Sequence, residues 1–150
     1  MIEELAGMTV GNILLRLAGA ALISALIGYE RFVHNKAIGV AGMTLVGIGS
    51  AMYMQLAIHL SASDPASISR TVQGVLQGIG FLGGAVIFKG GLDVRGIKTA
   101  AAIWITGGIG LAIGTWYWWL GIAVGIMTVI VLWGADAIPI RNHLANKNSE

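Results

Sequence analysis

Long apolar runs separated by short polar connections constrain this sequence more than any other feature. A helix needs about 17–25 mostly apolar residues to cross the roughly 30 Å hydrocarbon core of a bilayer. Strands of a membrane β-barrel would be about ten residues long and would alternate in polarity. The runs here have helical length, and they cover residues 13–29, 38–60, 71–88, 97–114 and 116–133. The sequence therefore predicts an all-α integral membrane helical bundle of about five transmembrane helices, as a single transmembrane domain over residues 1–150 with a short tail at 134–150.

The composition provides too few charges for a soluble surface. Charged residues make up 11% of the chain and hydrophobic residues 56%, whereas soluble domains carry about 25% charged residues. The formal net charge of +2 comes from cations spread between the apolar runs, which does not favour nucleic-acid binding. The sequence has no cysteine, so disulfides and thiol chemistry are excluded. The first eleven residues carry Glu3 and Glu4 and no cation, so we expect no cleaved signal peptide.

The positions of lysine and arginine predict the orientation of the chain. Connections on the cytoplasmic side of a membrane carry an excess of these cations. With five spans, one side holds Arg31, Lys36, Lys89, Arg95, Lys98, Arg141 and Lys147. The other side holds Arg70, together with Arg16 just inside the first run and an aromatic cluster at 116–119 that is typical of a membrane interface. We expect the N-terminus outside and the C-terminus in the cytoplasm.

Glycine is the second strong signal, with 23 glycines in 150 residues. Membrane helices associate by close backbone approach at small residues, because lipid offers no hydrophobic drive between them. Glycines four apart occur as Gly74–Gly78, Gly80–Gly84, Gly110–Gly114 and Gly121–Gly125. These pairs predict tight packing of the last three helices, with little room for a wide pore. The residues that we predict to pack helices are Gly74, Gly78, Gly80, Gly83, Gly84, Gly110, Gly114 and Trp104.

Three patterns imitate ligand-binding motifs. Residues 78–83 match the dinucleotide pattern G-x-G-x-x-G, but they lie inside an apolar helix without the strand and the acid that such a site needs. Residues 91–99 nearly form a phosphate-binding loop, but Ile97 interrupts the required Gly-Lys pair. The three histidines lie far apart and lack partners at zinc-ligand spacing. We therefore predict no nucleotide site, no zinc site and no enzymatic activity.

Polar side chains within apolar runs are costly and mark functional candidates. Arg16 lies about three residues into the first run; it either extends to the lipid headgroups or pairs with Asp64. Gln73 and Gln77 are four residues apart and share a helix face, on which Arg70 also lies. This polar ridge either forms interhelical hydrogen bonds or lines a polar path.

Carboxylates near the membrane are few, which limits where magnesium could bind. Magnesium prefers carboxylate ligands and keeps several waters. Glu30, Asp64 and Asp93 are weak candidates for metal ligands, since all three lie at the edges of the apolar runs. For Glu30, an ion pair with Lys36 or Lys98 at the membrane interface is the simpler expectation.

Several spaced motifs in this sequence occur together in one family of membrane proteins. The segments are Gly28-Tyr29-Glu30-Arg31, Leu45-Val46-Gly47-Ile48-Gly49-Ser50-Ala51, Asp64-Pro65, Ser69-Arg70, Gln73-Gly74, Gly78-Ile79-Gly80-Phe81-Leu82-Gly83, Val94-Arg95-Gly96-Ile97-Lys98-Thr99-Ala100-Ala101 and Ile103-Trp104. They are similar to G-x-E-R, L-V-x-x-G-S/A-A, D-P…S-R-x-x-Q-G, G-I-G-F-L-G and V-x-G-L-T-T-A-A-x-x-W. In this order they resemble the MgtC/SapB family of bacterial inner-membrane proteins over roughly residues 11–115.

The chain departs from the family pattern near its second helix. Ala41 and Met43 stand where the family usually has Arg and His, and Lys98 stands where it usually has Thr. One hypothesis is that Lys98 replaces the missing Arg as the partner of Glu30. Some family members also carry a soluble C-terminal domain, which we do not expect here.

The resemblance implies a multi-pass protein of the bacterial inner membrane that acts in adaptation to low magnesium and, in pathogens, in virulence. Two functions stay open: modulation of another membrane protein through helix contacts, and transport of magnesium or another ion. We favour the modulator, because acids are scarce within the apolar runs. The expected partners are the bilayer and another membrane protein or a second copy; no cofactor is expected, and magnesium stays open as a ligand. The functional polar positions that we predict are Arg16, Glu30, Arg31, Asp64, Arg70, Gln73, Gln77, Arg95, Lys98 and Thr99.

Overall fold

A computed structural model describes residues 9–60, 65–90 and 93–137 of the chain. Within those residues it contains five helices and one short hairpin. The elements are α1 (Val10–Val33), α2 (Val40–Leu60), α3 (Pro65–Ala85), β1 (Phe88–Gly90), β2 (Asp93–Arg95), α4 (Ile97–Gly114) and α5 (Trp118–Ala137). The predicted all-α membrane bundle is confirmed.

The helices differ in how well they suit a bilayer. Among the described residues, α1, α2 and α4 are long and apolar enough to cross a membrane. The apolar part of α5, Trp118–Gly134, is shorter. Helix α3 has 21 residues, but its polar side chains include Arg70, Gln73 and Gln77. The least lipid-like helix is therefore the one that carries the predicted polar ridge.

The third helix and the connection after it differ from the prediction. Helix α3 covers Pro65–Ala85 rather than residues 71–88, and Phe88 belongs to β1. Proline is well suited to the first turn of a helix, so α3 begins in a polar segment that a count of apolar residues misses. At its other end, β1 pairs antiparallel with β2, with Phe88 opposite Arg95. A hairpin therefore replaces the last turn of the predicted span.

Helix α4 lies at the centre of the bundle and contacts each of the other described helices. It approaches α2 closely at Gly114, where an added Cβ would lie 2.9 Å from the carbonyl oxygen of Ala51 and from the Cβ of Met54. It approaches α3 at Gly107, where an added Cβ would collide with the side chain of Ile79. The fully buried apolar residues around α4 include Ala20, Ile27, Met43, Ala51, Ile103, Ile109 and Ile113.

Successive helices run in alternating directions, so residues distant in sequence meet at two ends of the bundle. At one end, Arg16 of α1 contacts Gly114 at the end of α4. At the other end, Gly28 of α1 lies against Val40 at the start of α2. We call the first the aromatic end, and it holds Trp116, Tyr117, Trp118 and Trp119. We call the second the basic end, and it holds Arg31, Lys36, Arg95 and Lys98.

Candidate functional site

Arg16, near the aromatic end, is buried with 8% of its surface exposed. Its Nη1 atom donates a hydrogen bond of 2.9 Å to the carbonyl oxygen of Gly114, and its guanidinium lies 4.3 Å from the ring centroid of Trp116. The last carbonyls of a helix lack partners within it and carry partial negative charge. Arg16 therefore caps α4 and fastens α1 to the turn before α5. This position differs from extension to the headgroups, and the other expected partner, Asp64, lies outside the described residues.

Glu30 and Arg31 form a buried ion pair near the basic end. Glu30 is 1% exposed and Arg31 is 0% exposed, and the carboxylate accepts hydrogen bonds from the Nε and Nη2 atoms of Arg31. One turn further on, the Nδ1 atom of His34 lies 3.0 Å from Oε1 of Glu30. Arg31 and His34 are thus both ion-pair partners of Glu30, and the expected pairing with Lys36 or Lys98 stays a prediction. A metal ion would have to compete with Arg31 for this carboxylate.

A polar cavity of about 800 Å³ opens at the basic end. It lies between the end of α1, the hairpin and the start of α4, and the buried Thr99 lies in its wall. The cations among its described lining residues are Arg31, Lys36, Arg95 and Lys98. The structure thus brings together predicted polar positions from two separate connections of the chain.

The wall of this cavity depends on Gly96, which joins β2 to α4. Gly96 has a φ of 92°, a conformation that glycine adopts at no steric cost and other residues rarely adopt. A Cβ at this position would also collide with the carbonyl oxygen of Val86, just after α3. The first turn of α4 can therefore lie against the end of α3 only because residue 96 has no side chain.

One side of α3 is exposed along most of its length. At about 100° per residue, seven of its exposed residues fall within a sector of about 160°. We call this sector the α3 face, and it comprises Gln73, Gly74, Gln77, Gly78, Gly80, Phe81 and Gly84. The opposite side packs into the bundle, where Ile79 is 6% exposed. Arg70 is also exposed and lies near the middle of the same sector, so the three side chains of the predicted polar ridge share one exposed face of α3.

The glycine pairs separate into two kinds. Gly110 and Gly114 contact α2 so closely that an added Cβ at Gly110 would meet the Cβ of Ser50 at 2.7 Å. By contrast, nothing lies within 4 Å of an added Cβ at the glycines of the α3 face, which are Gly74, Gly78, Gly80 and Gly84. Gly110 and Gly114 therefore pack two helices of this chain against each other. For the α3 face, packing stays a prediction, and its partner would have to come from outside the described residues.

The other predicted positions lie apart from these sites. Gly83 faces α4, with an added Cβ 3.5 Å from the carbonyl oxygen of Ala100. Trp104 is 53% exposed, so more than half of its surface is free of the bundle. The backbone of Asp93 pairs with Gly90 in the hairpin. Among the described residues, no group of three or more His, Cys, Asp or Glu side chains could hold a metal ion.

Sequence reasoning missed three contacts. His34 binds Glu30 from one helical turn away, and its spacing of four residues could have indicated this. Trp116 supports Arg16 with a positive φ of 73°, which no local pattern signals. Ser24 lies so close to Gly47 that an added Cβ would collide with its hydroxyl, a contact that depends on how α1 and α2 cross.

The sequence matches known proteins over most of its length. Residues 17–139 match the model of the MgtC family. SrpB of Synechococcus elongatus is 37% identical over 131 residues, which make up 79% of this chain and 72% of SrpB. YhiD of Escherichia coli, described as a putative magnesium transporter, is 35% identical over 144 residues, or 90% of this chain and 65% of YhiD. MgtC of Salmonella typhimurium is 38% identical over 101 residues, or 67% of this chain and 42% of that protein.

This chain therefore spans less than two thirds of YhiD and of MgtC. No solved structure matches it.

Proposed function

Because this chain belongs to the MgtC family, we propose that it is a multi-pass protein of the bacterial inner membrane with a non-enzymatic role in magnesium homeostasis. It acts by binding another membrane protein through the α3 face and altering that protein's activity. The family membership and the name of YhiD support the connection with magnesium. The exposure and chemistry of the α3 face support the binding.

The two amides of the α3 face carry the proposal. Gln73 and Gln77 are exposed in the single chain, and a polar group without a partner in hydrocarbon is costly because no water is present to bond it. A helix from another protein would remove this cost by covering the amides. Interhelical hydrogen bonds of this kind contribute about 0.6–2 kcal/mol each, so two of them are a substantial part of the stability of a helix pair.

The glycines of the same face make a close approach possible. Gly74 and Gly78 are four residues apart and open, which is the spacing at which membrane helices meet backbone to backbone. The same spacing already packs two helices within this chain, since α2 lies in close contact with Gly110 and Gly114 of α4. A partner helix on α3 would use the same geometry between two proteins.

Transport of magnesium is a second candidate, and the name of YhiD favours it. A transport path needs carboxylates that can bind and release the ion. Glu30 is the one acid whose side chain lies in the described part of the chain, and Arg31 and His34 hold it. A modulator needs no carboxylate that binds and releases the ion. The described residues therefore favour a modulator over a transporter.

For the orientation, we propose that the basic end lies in the cytoplasm and the aromatic end at the outer face. The excess of lysine and arginine in cytoplasmic connections supports this assignment. Helix α1 then runs inward from Arg16 to Glu30, and α5 runs inward as well.

A site-specific photocrosslinker tests whether a protein covers the α3 face. Phe81 is 79% exposed on this face, so the larger benzoylphenylalanine side chain can replace it without meeting the rest of the bundle. The matched control places the same group at Ile130, which is 63% exposed on α5. We expect a discrete adduct in cells from position 81, absent from position 130, which mass spectrometry identifies as another membrane protein.

Two further measurements connect the adduct to function. Gly78→Leu should abolish both the adduct and growth in low magnesium, whereas Gly108→Leu, at a glycine of α4 that is also open, should preserve both. Purified protein in liposomes should show no magnesium uptake. Magnesium uptake by the unmodified protein in liposomes would overturn the modulator in favour of transport. An adduct formed only between two copies of this chain would overturn binding of a different partner protein.

A further inference from the structure

Positive charge is concentrated at the cavity of the basic end. Arg31, Lys36, Arg95 and Lys98 are among its lining residues. Glu30 is bonded to Arg31 within the bundle, and Asp93 lies two residues before Arg95 in the chain. Asp136 lies near the end of α5, which reaches the same end of the bundle. Even with all three acids counted, four positive charges less three negative ones leave a net charge of +1. The cavity therefore favours an anion over a magnesium ion.

The start of α4 adds to this preference. Gly96 and Ile97 both line the cavity. The cap residue Gly96 has no side chain that could accept a hydrogen bond from the first amides of the helix. These amides have no carbonyl acceptor within the helix, and the helix dipole gives this end a partial positive charge. Phosphate groups bind at such ends, and here the end opens into a cavity that already holds cations.

The cavity is also apolar along one rim. Phe88, Val94 and Ile97 line it and are 61%, 45% and 58% exposed. A free inorganic ion would make no use of these side chains. A molecule with a phosphate group and a hydrocarbon chain would contact both the cations and the rim.

We propose that this cavity binds the phosphate group of an anionic phospholipid, such as phosphatidylglycerol, at the basic end of the bundle. The phosphate lies among Lys36, Arg95 and Lys98 near the first turn of α4, and an acyl chain lies against Phe88 and Ile97. Basic pockets between membrane helices bind anionic headgroups in this way. This site is separate from the α3 face and does not depend on the proposed partner.

Native mass spectrometry of the purified full-length chain in detergent tests the proposal. The protein is titrated with phosphatidylglycerol, with phosphatidylcholine of the same acyl chains, and with inorganic phosphate. The variants are Arg95→Gln, Lys98→Gln and their combination. Arg70→Gln is the matched control, because Arg70 is an exposed cation on α3 away from the cavity.

We expect phosphatidylglycerol to bind more tightly than phosphatidylcholine. One basic side chain near an anionic lipid surface contributes about 1 kcal/mol, so each single variant should weaken phosphatidylglycerol binding about fivefold and the double variant about 30-fold. Arg70→Gln should bind like the unmodified chain, and thermal unfolding in phosphatidylcholine should verify that each variant is folded.

Three results would overturn the proposal. Equal binding of both lipids, or equal losses in Arg70→Gln and Lys98→Gln, would show that the cations of the cavity do not select the headgroup. Binding of inorganic phosphate that depends on Arg95 and Lys98, without preference between the lipids, would assign the cavity to a soluble phosphate instead.

Discussion

Substitution of single glycines by alanine tests whether the close contact between α4 and α2 holds the bundle together. At Gly110, an added Cβ would collide with the carbonyl oxygen of Gly47 and lie 2.7 Å from the Cβ of Ser50. Two carbon atoms in contact prefer about 3.5–4.0 Å, so the two helices would have to separate by about 1 Å at this point. Overpacking of this kind costs about 1–3 kcal/mol.

The matched variants are Gly108→Ala on the same helix and Gly78→Ala on α3. Nothing lies within 4 Å of an added Cβ at either position, so neither variant incurs an overpacking cost. All three substitutions gain the same helix propensity, about 1 kcal/mol in a helix interior, and this gain cancels when they are compared. Gly110→Ala should therefore be less stable than both controls by about 1–3 kcal/mol.

Equilibrium unfolding of the purified protein in mixed micelles, with increasing sodium dodecyl sulfate, measures this difference through tryptophan fluorescence. The chain carries five tryptophans, and Trp118 contacts α1 at Gly19, so their emission reports on helix separation. Equal stability of Gly110→Ala and Gly108→Ala would refute the reasoning that close backbone contact between α2 and α4 fixes the bundle. Destabilisation by Gly78→Ala would show that α3 packs differently from the structure.

Three more substitutions test the polar contacts and the turn, all with the same unfolding assay. Glu30→Gln leaves the buried guanidinium of Arg31 without its counter-charge and should cost about 3–5 kcal/mol; the added change Arg31→Met should restore part of this loss, and no restoration would contradict a direct pair. Arg16→Met removes the charged hydrogen bond to the carbonyl oxygen of Gly114 and should cost about 1.5–3 kcal/mol, whereas unchanged stability would mean that this cap is dispensable. Gly96→Ala places a side chain on a residue with a positive φ and should lower the free energy of unfolding by about 1–3 kcal/mol. An unchanged free energy of unfolding would contradict the described turn.

Much of the helical architecture could be predicted from the sequence, because apolar length is a local property. The spans near α1, α2, α4 and α5 follow directly from the number of consecutive apolar residues. The start of α3 could not be found this way, because Pro65 and the polar residues after it form a helix without being apolar. The hairpin at Phe88 was missed for the opposite reason, since an apolar residue there extends the run without extending the helix.

The candidate sites could be predicted only in part. The helical period places Gln73 and Gln77 on one face, and that face is indeed exposed. The same rule predicts that Gly78 and Gly110 both pack against another helix, because both belong to glycine pairs four residues apart. Spacing describes one helix, whereas close contact depends on the position of a second helix. Only the tertiary structure distinguishes a glycine that packs from one that is open.

By itself, the sequence determined that this protein is an integral membrane helical bundle. It also determined that most of the charged residues lie near the helix ends. Hydrocarbon leaves few alternatives: backbone groups must bond within each helix, and cations must remain near the interfaces. The tertiary structure decided which of these groups meet. It directed Arg16 to the end of α4, brought Lys36 and Lys98 to one cavity, and left the α3 face uncovered by the described chain. These outcomes follow from helix crossings and from contacts between residues up to 98 positions apart, which no local pattern encodes.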